Sequence, residues 1–65
     1  MAEVEGNTQA QFVEGGEWVL VDGRVAFVLT AGEVRGTVSA GVEFADDGDT
    51  DSVFWDSTEL VTVLN

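Results

Sequence analysis

Trp18-Val19-Leu20-Val21-Asp22-Gly23-Arg24-Val25-Ala26-Phe27-Val28-Leu29-Thr30 reads as two strands joined by a two-residue turn. The flanking runs are rich in β-branched and aromatic residues, which suit a pleated, half-buried surface. Asp-Gly between two such runs is a strong hairpin signal, because both residues tolerate positive φ. In the return strand Val25, Phe27 and Leu29 share one face, and Arg24, Ala26, Val28 and Thr30 share the other. The first face is the larger and more apolar, so it is expected to point into the core.

Downstream the chain continues as strand and turn. Ala31-Gly32 reads as a break, and Gly36 as a bend inside a loose strand between Glu33 and Ser39. Val42-Glu43-Phe44 alternates as a half-buried strand should. Asp46-Asp47-Gly48-Asp49-Thr50-Asp51 is a loop, and Ser52-Val53-Phe54-Trp55 the next strand. Asp56-Ser57-Thr58-Glu59-Leu60 is expected to form one short helical turn near the C-terminus, capped by Asp56 or Ser57. Val61-Thr62-Val63-Leu64 closes the chain. Upstream, residues 1–11 read as a flexible polar tail, so the folded domain is expected to span residues 12–65. The fold class is therefore all-β, a small antiparallel barrel of five to six short strands.

Charge bounds the function. Thirteen acidic residues face two basic ones in 65 residues, a formal net charge of −11. Such a surface repels phosphate backbones and anionic membranes, so neither nucleic acid nor membrane is expected as a direct partner. Lysine, histidine, cysteine and tyrosine are absent. That removes the commonest general base, the thiolate nucleophile and most metal ligands, so neither catalysis nor a cofactor is expected. Two readings of the acidity compete. Abundant Asp and Glu with Val and Thr but no Lys is similar to proteins of salt-loving archaea and their viruses. Alternatively, carboxylates imitate a phosphate backbone and inhibit a DNA- or RNA-binding protein. The acidic residues are dispersed along the whole chain, which favours general solvation in salt.

The order of elements from Gly16-Glu17-Trp18-Val19-Leu20-Val21 to the Glu59-Leu60 turn and Val61-Thr62-Val63-Leu64 resembles an SH3-like small barrel of KOW or Tudor type. That resemblance implies a tight hairpin, bent strands and a closing strand. It carries over no site residues: the basic residues of KOW-type barrels are missing, and most aromatic rings needed for a Tudor-type cage are wanted in the core. The alternative architecture is an open antiparallel sheet completed by another subunit.

Few side chains stand out as candidates. Asp47, Asp49 and Asp51 have the alternate spacing that begins a calcium loop, but the glycine and the final glutamate of that motif are missing, and a solvated hairpin tip is the plainer reading. Phe54 and Trp55 are neighbours on one strand and must face opposite sides. Trp55 is assigned to the core and Phe54 to an interface. Trp18 belongs to the core or to a binding hot spot. Arg24 and Arg35 either pair with the chain's own carboxylates or contact an acidic partner. Apolar residues on both faces of several strands call for a second covered surface, supplied by a protein partner or by a homo-oligomer. The expected function is a non-enzymatic interaction or structural module, a small accessory subunit of a viral particle or other large assembly. Its expected place is cytoplasmic or virion-associated, since no secretory signal is recognisable.

Overall fold

The computed structural model describes residues 5–64. They form one all-antiparallel sheet of six strands in the order β1-β6-β2-β3-β4-β5. The strands are β1 (Glu5–Gln9), β2 (Trp18–Val21), β3 (Arg24–Val34), β4 (Thr37–Phe44), β5 (Thr50–Asp56) and β6 (Leu60–Leu64). The sheet is not closed into a barrel: β1 and β5 are left as its two edges. It is nonetheless strongly curled. Only three residues separate the end of β5 from the start of β6, yet three strands lie between them in the sheet. So short a link spans at most about 14 Å, so the sheet must bend until those ends approach.

The expected helical turn near the C-terminus is absent. Residues 57–59 make a plain turn, closed by the Glu59 N–H donating to the Asp56 carbonyl. The helical turn lies instead near the N-terminus, as a 3₁₀ turn over Ala10–Phe12. Residues 5–11, read as tail, belong to the folded unit: β1 pairs with β6 along its whole length, and Ala10 is fully buried. The rest of that stretch, residues 1–4, lies outside the described residues.

Two tight hairpins set the register. Asp22 and Gly23 adopt φ of 51° and 77°, and Val21 pairs with Arg24, as a two-residue turn with two positive φ values requires. Arg35 and Gly36 repeat the device with φ of 53° and 82° between Val34 and Thr37. Gly36 is thus the tip of a hairpin and not a bend within a strand.

Along β2, β3 and most of β4 the inner face of the curl is built from small and medium side chains, with Phe44 as the large buried exception. Val19, Ala26, Val28, Val38, Ala40, Val42, Phe44 and Val61 are buried there, joined by Ala10 and Val13 from the segment after β1. Trp55 packs against this core, as assigned. The face of β3 expected to be core is outside: Val25 is 38% exposed and Leu29 47%, while Ala26 and Val28 are sealed. Curvature explains the inversion. The concave side of a tightly bent sheet has little room, so it takes alanine and valine, and the bulkier residues are left on the convex side.

Strand β3 is continuous through Ala31-Gly32 because a bulge absorbs the irregularity. Val28 pairs with Val42, but the next pair is Thr30 with Gly41, so Leu29 is an extra residue. Even-numbered residues face inward before it, and Ala31 and Glu33 do so after it. The Gly16 N–H donates to the Val28 carbonyl and the Val28 N–H to the Glu17 carbonyl, both at 2.8 Å, tying the bulge to the segment before β2.

Candidate interaction surface

The convex face carries a contiguous apolar group across three neighbouring strands. The Asp22-Gly23 hairpin pairs Trp18 with Phe27 and Leu20 with Val25, and Leu64 of β6 lies opposite Trp18. The Trp18 and Phe27 rings meet edge to face with centroids 4.9 Å apart. Such a pair is worth roughly 0.5–1.5 kcal/mol beyond the area it buries. Trp18 remains 43% exposed, while Leu20, Phe27 and Leu64 are half-buried. Glu43, directly opposite Phe27, puts a carboxylate beside the group.

Phe54 stands on the same convex face but on the edge strand, 69% exposed. Its cross-strand neighbour is Ser39, whose own neighbour in β3 is Gly32, so a flat shelf of small residues lies beside the ring. Phe54 and Trp18 are therefore not brought together: β4 and β3 intervene. Phe12 and Leu60, both well exposed, are further apolar positions that the sequence did not single out.

The two arginines have different surroundings. Arg24 faces inward opposite Val21 and closes one end of the core, its guanidinium 3.9 Å from the centre of the buried Phe44 ring. It donates through Nε to Asp46 at 2.9 Å and through one terminal nitrogen to Asp46 at 2.7 Å and Asp47 at 3.0 Å. These hydrogen bonds from Arg24, opposed by partial desolvation, hold the Asp46 carboxyl below its ordinary value and raise the guanidinium further above its own. The pair thus ties the β4–β5 loop to the start of β3. Arg35 sits exposed at the tip of the β3–β4 hairpin, with no ion pair among the described residues.

The expected loop ends at Asp49, since Thr50 and Asp51 already belong to β5, and its aspartates do not converge with Asp51. Asp47 is turned toward Arg24 and accepts the Asp49 N–H, and Asp51 accepts the Ser52 N–H. Among the described residues no group of three acidic side chains is placed to hold a metal ion. Nor do the carboxylates form rows on one face. Asp22, Asp46, Asp47 and Asp49 lie in turns at one end, Asp56 and Glu59 lie at the other, and Glu43 lies on the convex side. Glu33 accepts a hydrogen bond from the buried Ser57 hydroxyl. No helix among the described residues is long and apolar enough to cross a membrane.

No protein-family model matches the sequence, and a comparison with curated proteins finds no match.

Proposed function

We propose that the chain is a non-enzymatic docking module that joins other proteins through the convex face of its sheet, as a small accessory subunit of a larger assembly in a salty setting. The observation that carries this reading is the group Trp18, Leu20, Val25, Phe27 and Leu64, an apolar surface on the outside of an otherwise acidic domain. Tryptophan is among the residues from which binding hot spots are made, and phenylalanine is enriched at the cores of interfaces. The lack of histidine, cysteine, lysine and tyrosine supports a role without chemistry. The dispersed carboxylates support solvation in salt over imitation of a nucleic-acid backbone. In architecture we read the domain as an unclosed relative of SH3-like barrels. Strands β2 to β5 form a meander, and β6 returns beside β2 after a tight turn, with β1 added outside it.

Light scattering after size exclusion in molar potassium chloride tests the reading, with the chain mixed with the other components of its source assembly. The wild type is expected to co-elute with one of them, and the charged substitution Val25→Glu to elute alone while keeping its fold by circular dichroism. A wild type that stays monomeric with every component, or a Val25→Glu variant that binds as well, would refute it.

A further inference from the structure

Strand β5 ends the sheet, and one side of its backbone is open. The Asp49 carbonyl accepts from the Phe44 N–H, and the Ser57 N–H donates to the Gly36 carbonyl, so residues 49 and 57 both turn toward β4. Alternate residues of an antiparallel ladder turn both groups to the same neighbour. Asp51, Val53 and Trp55 therefore bond β4, and Thr50, Ser52 and Phe54 present N–H and C=O outward. No backbone partner meets those outward groups among the described residues. The Ser52 N–H is instead held at 2.8 Å by the carboxylate of Asp51. The 3₁₀ turn covers the far end, where the Gln11 N–H donates to the Ser57 carbonyl.

The open stretch is flanked by charge of one sign. Asp51 lies at its start and Asp56 at its end, with the exposed Phe54 ring between them. A second copy of this chain is a poor occupant. It would set no lysine against Asp51 and Asp56, and its two cations are the Asp46-bound Arg24 and the hairpin-tip Arg35, a shortage of contact-range partners that salt does not remedy. Charge complementarity selects a different chain.

We propose that β5 is a strand-addition site for an extended, cationic segment of another protein. The segment runs antiparallel to β5, sets an aliphatic residue opposite Phe54, and sets lysine or arginine opposite Asp56 and Asp51, five positions apart. Main-chain bonds to Phe54 and Ser52 supply affinity, and the side chains supply selection. The cation opposite Asp51 draws that carboxylate off the Ser52 N–H, which then donates to the incoming strand. This inference rests on the reading of the chain as a docking module but uses a surface separated from the Trp18 group by β4.

The probe is a synthetic heptapeptide with lysine at its first and sixth positions, isoleucine at the third, valine at the fourth and threonine elsewhere. It is titrated into the full-length 15N-labelled chain at low salt. The expected result is movement of the Ser52 and Phe54 amide signals, with binding at least about tenfold weaker when both lysines are glutamate. N-methylation of the third residue, whose N–H faces Phe54, is expected to abolish binding, whereas N-methylation of the fourth leaves it within about twofold. Asp51→Asn, which preserves an acceptor for the Ser52 N–H, is expected to weaken binding several-fold.

Equal affinity for the glutamate peptide, or equal loss on either N-methylation, would overturn the site. So would signal changes confined to Trp18 and Phe27, or concentration-dependent shifts at Ser52 and Phe54 without peptide, which would assign the edge to a second copy. Val25→Glu separates the two proposals: it is expected to abolish convex-face docking and leave peptide binding unchanged.

Discussion

A Cβ placed on Gly15 would come within 2.9 Å of the Leu29 carbonyl oxygen, so the missing side chain of one residue makes room for the bulge of another. The obstacle is backbone, and the bonds from Val28 to Gly16 and Glu17 hold it in place. Gly15→Ala is expected to cost about 1–3 kcal/mol of stability, the usual range for overpacking at a site that cannot yield. Urea unfolding measures it, and Gly6→Ala, with open space around the new methyl, is the control.

The inversion of β3 makes a paired prediction. Val28→Ala removes two methyl groups from a sealed site and is expected to cost about 2–3 kcal/mol, the transfer loss plus a cavity. Val25→Ala, on the convex face, is expected to cost less than about 1 kcal/mol. The reverse ranking would mean that the sheet curls the other way.

Arg24 and Asp46 predict an acid limb. The Asp46 carboxyl is held below its ordinary value near 3.8, and the Arg24 guanidinium stays charged throughout. A lowered folded-state value means that the folded form prefers the carboxylate. The contribution is therefore complete above about pH 4 and disappears as pH falls through the folded-state value. Asp46→Asn is expected to be less stable than wild type at pH 7, with the gap narrowing toward pH 2. Thermal melts across that range read it directly.

Arg35 occupies a left-handed conformation that favours glycine and asparagine. Arg35→Asn converts the turn to Asn-Gly and is expected to stabilise the domain by about 0.5–1 kcal/mol. The comparison belongs in molar salt, where screening to roughly 3 Å suppresses the lost cation's effect on the net charge. A destabilised variant there would count against the turn assignment.

Salt itself is the fifth test. Eleven net negative charges repel one another in a domain with a small core. The melting temperature is expected to climb steadily with potassium chloride toward molar concentration. A flat response would remove the support for adaptation to salt.

Much of this fold is legible in the residues. Asp22-Gly23 announces its hairpin, the β4–β5 loop announces itself by three aspartates and a glycine although β5 already begins at Thr50, and Val42-Glu43-Phe44 shows its alternation. What the residues conceal is which face of β3 is buried. Trp18, Leu20, Val25 and Phe27 form one apolar face and Val19, Val21, Ala26 and Val28 the other. Bulk alone picks the wrong one, because curvature sets the space inside. The strand β4 holds the correction: Val38, Ala40, Val42 and Phe44 alternate with Ser39, Gly41 and Glu43, so its inner face is unambiguous. Carrying that face across to β3 requires the extra residue at Leu29, which no local pattern reveals. Strand β1 is equally hidden, since Gly6, Asn7, Thr8 and Gln9 are poor strand formers on their own. They are held in extended form by the ladder to β6, including a hydrogen bond from the Thr62 hydroxyl to Asn7 at 3.0 Å. At the surface, the exposure of Phe54 was recoverable from the neighbouring Trp55. The Arg24 clamp on Asp46 and Asp47 needed the tertiary approach of two turns.

The ladder joining Glu5–Gln9 to Leu60–Leu64 has a kinetic consequence. Its partners are separated by nearly the whole polypeptide, so the entropy of closing that loop is lost before any of its bonds can form. The two hairpins assemble from near neighbours first, and the outermost seam zips last. Amide protons of that seam should exchange with solvent sooner than those of the bulge-bearing central strand, giving the molecule one designated place at which it begins to come undone.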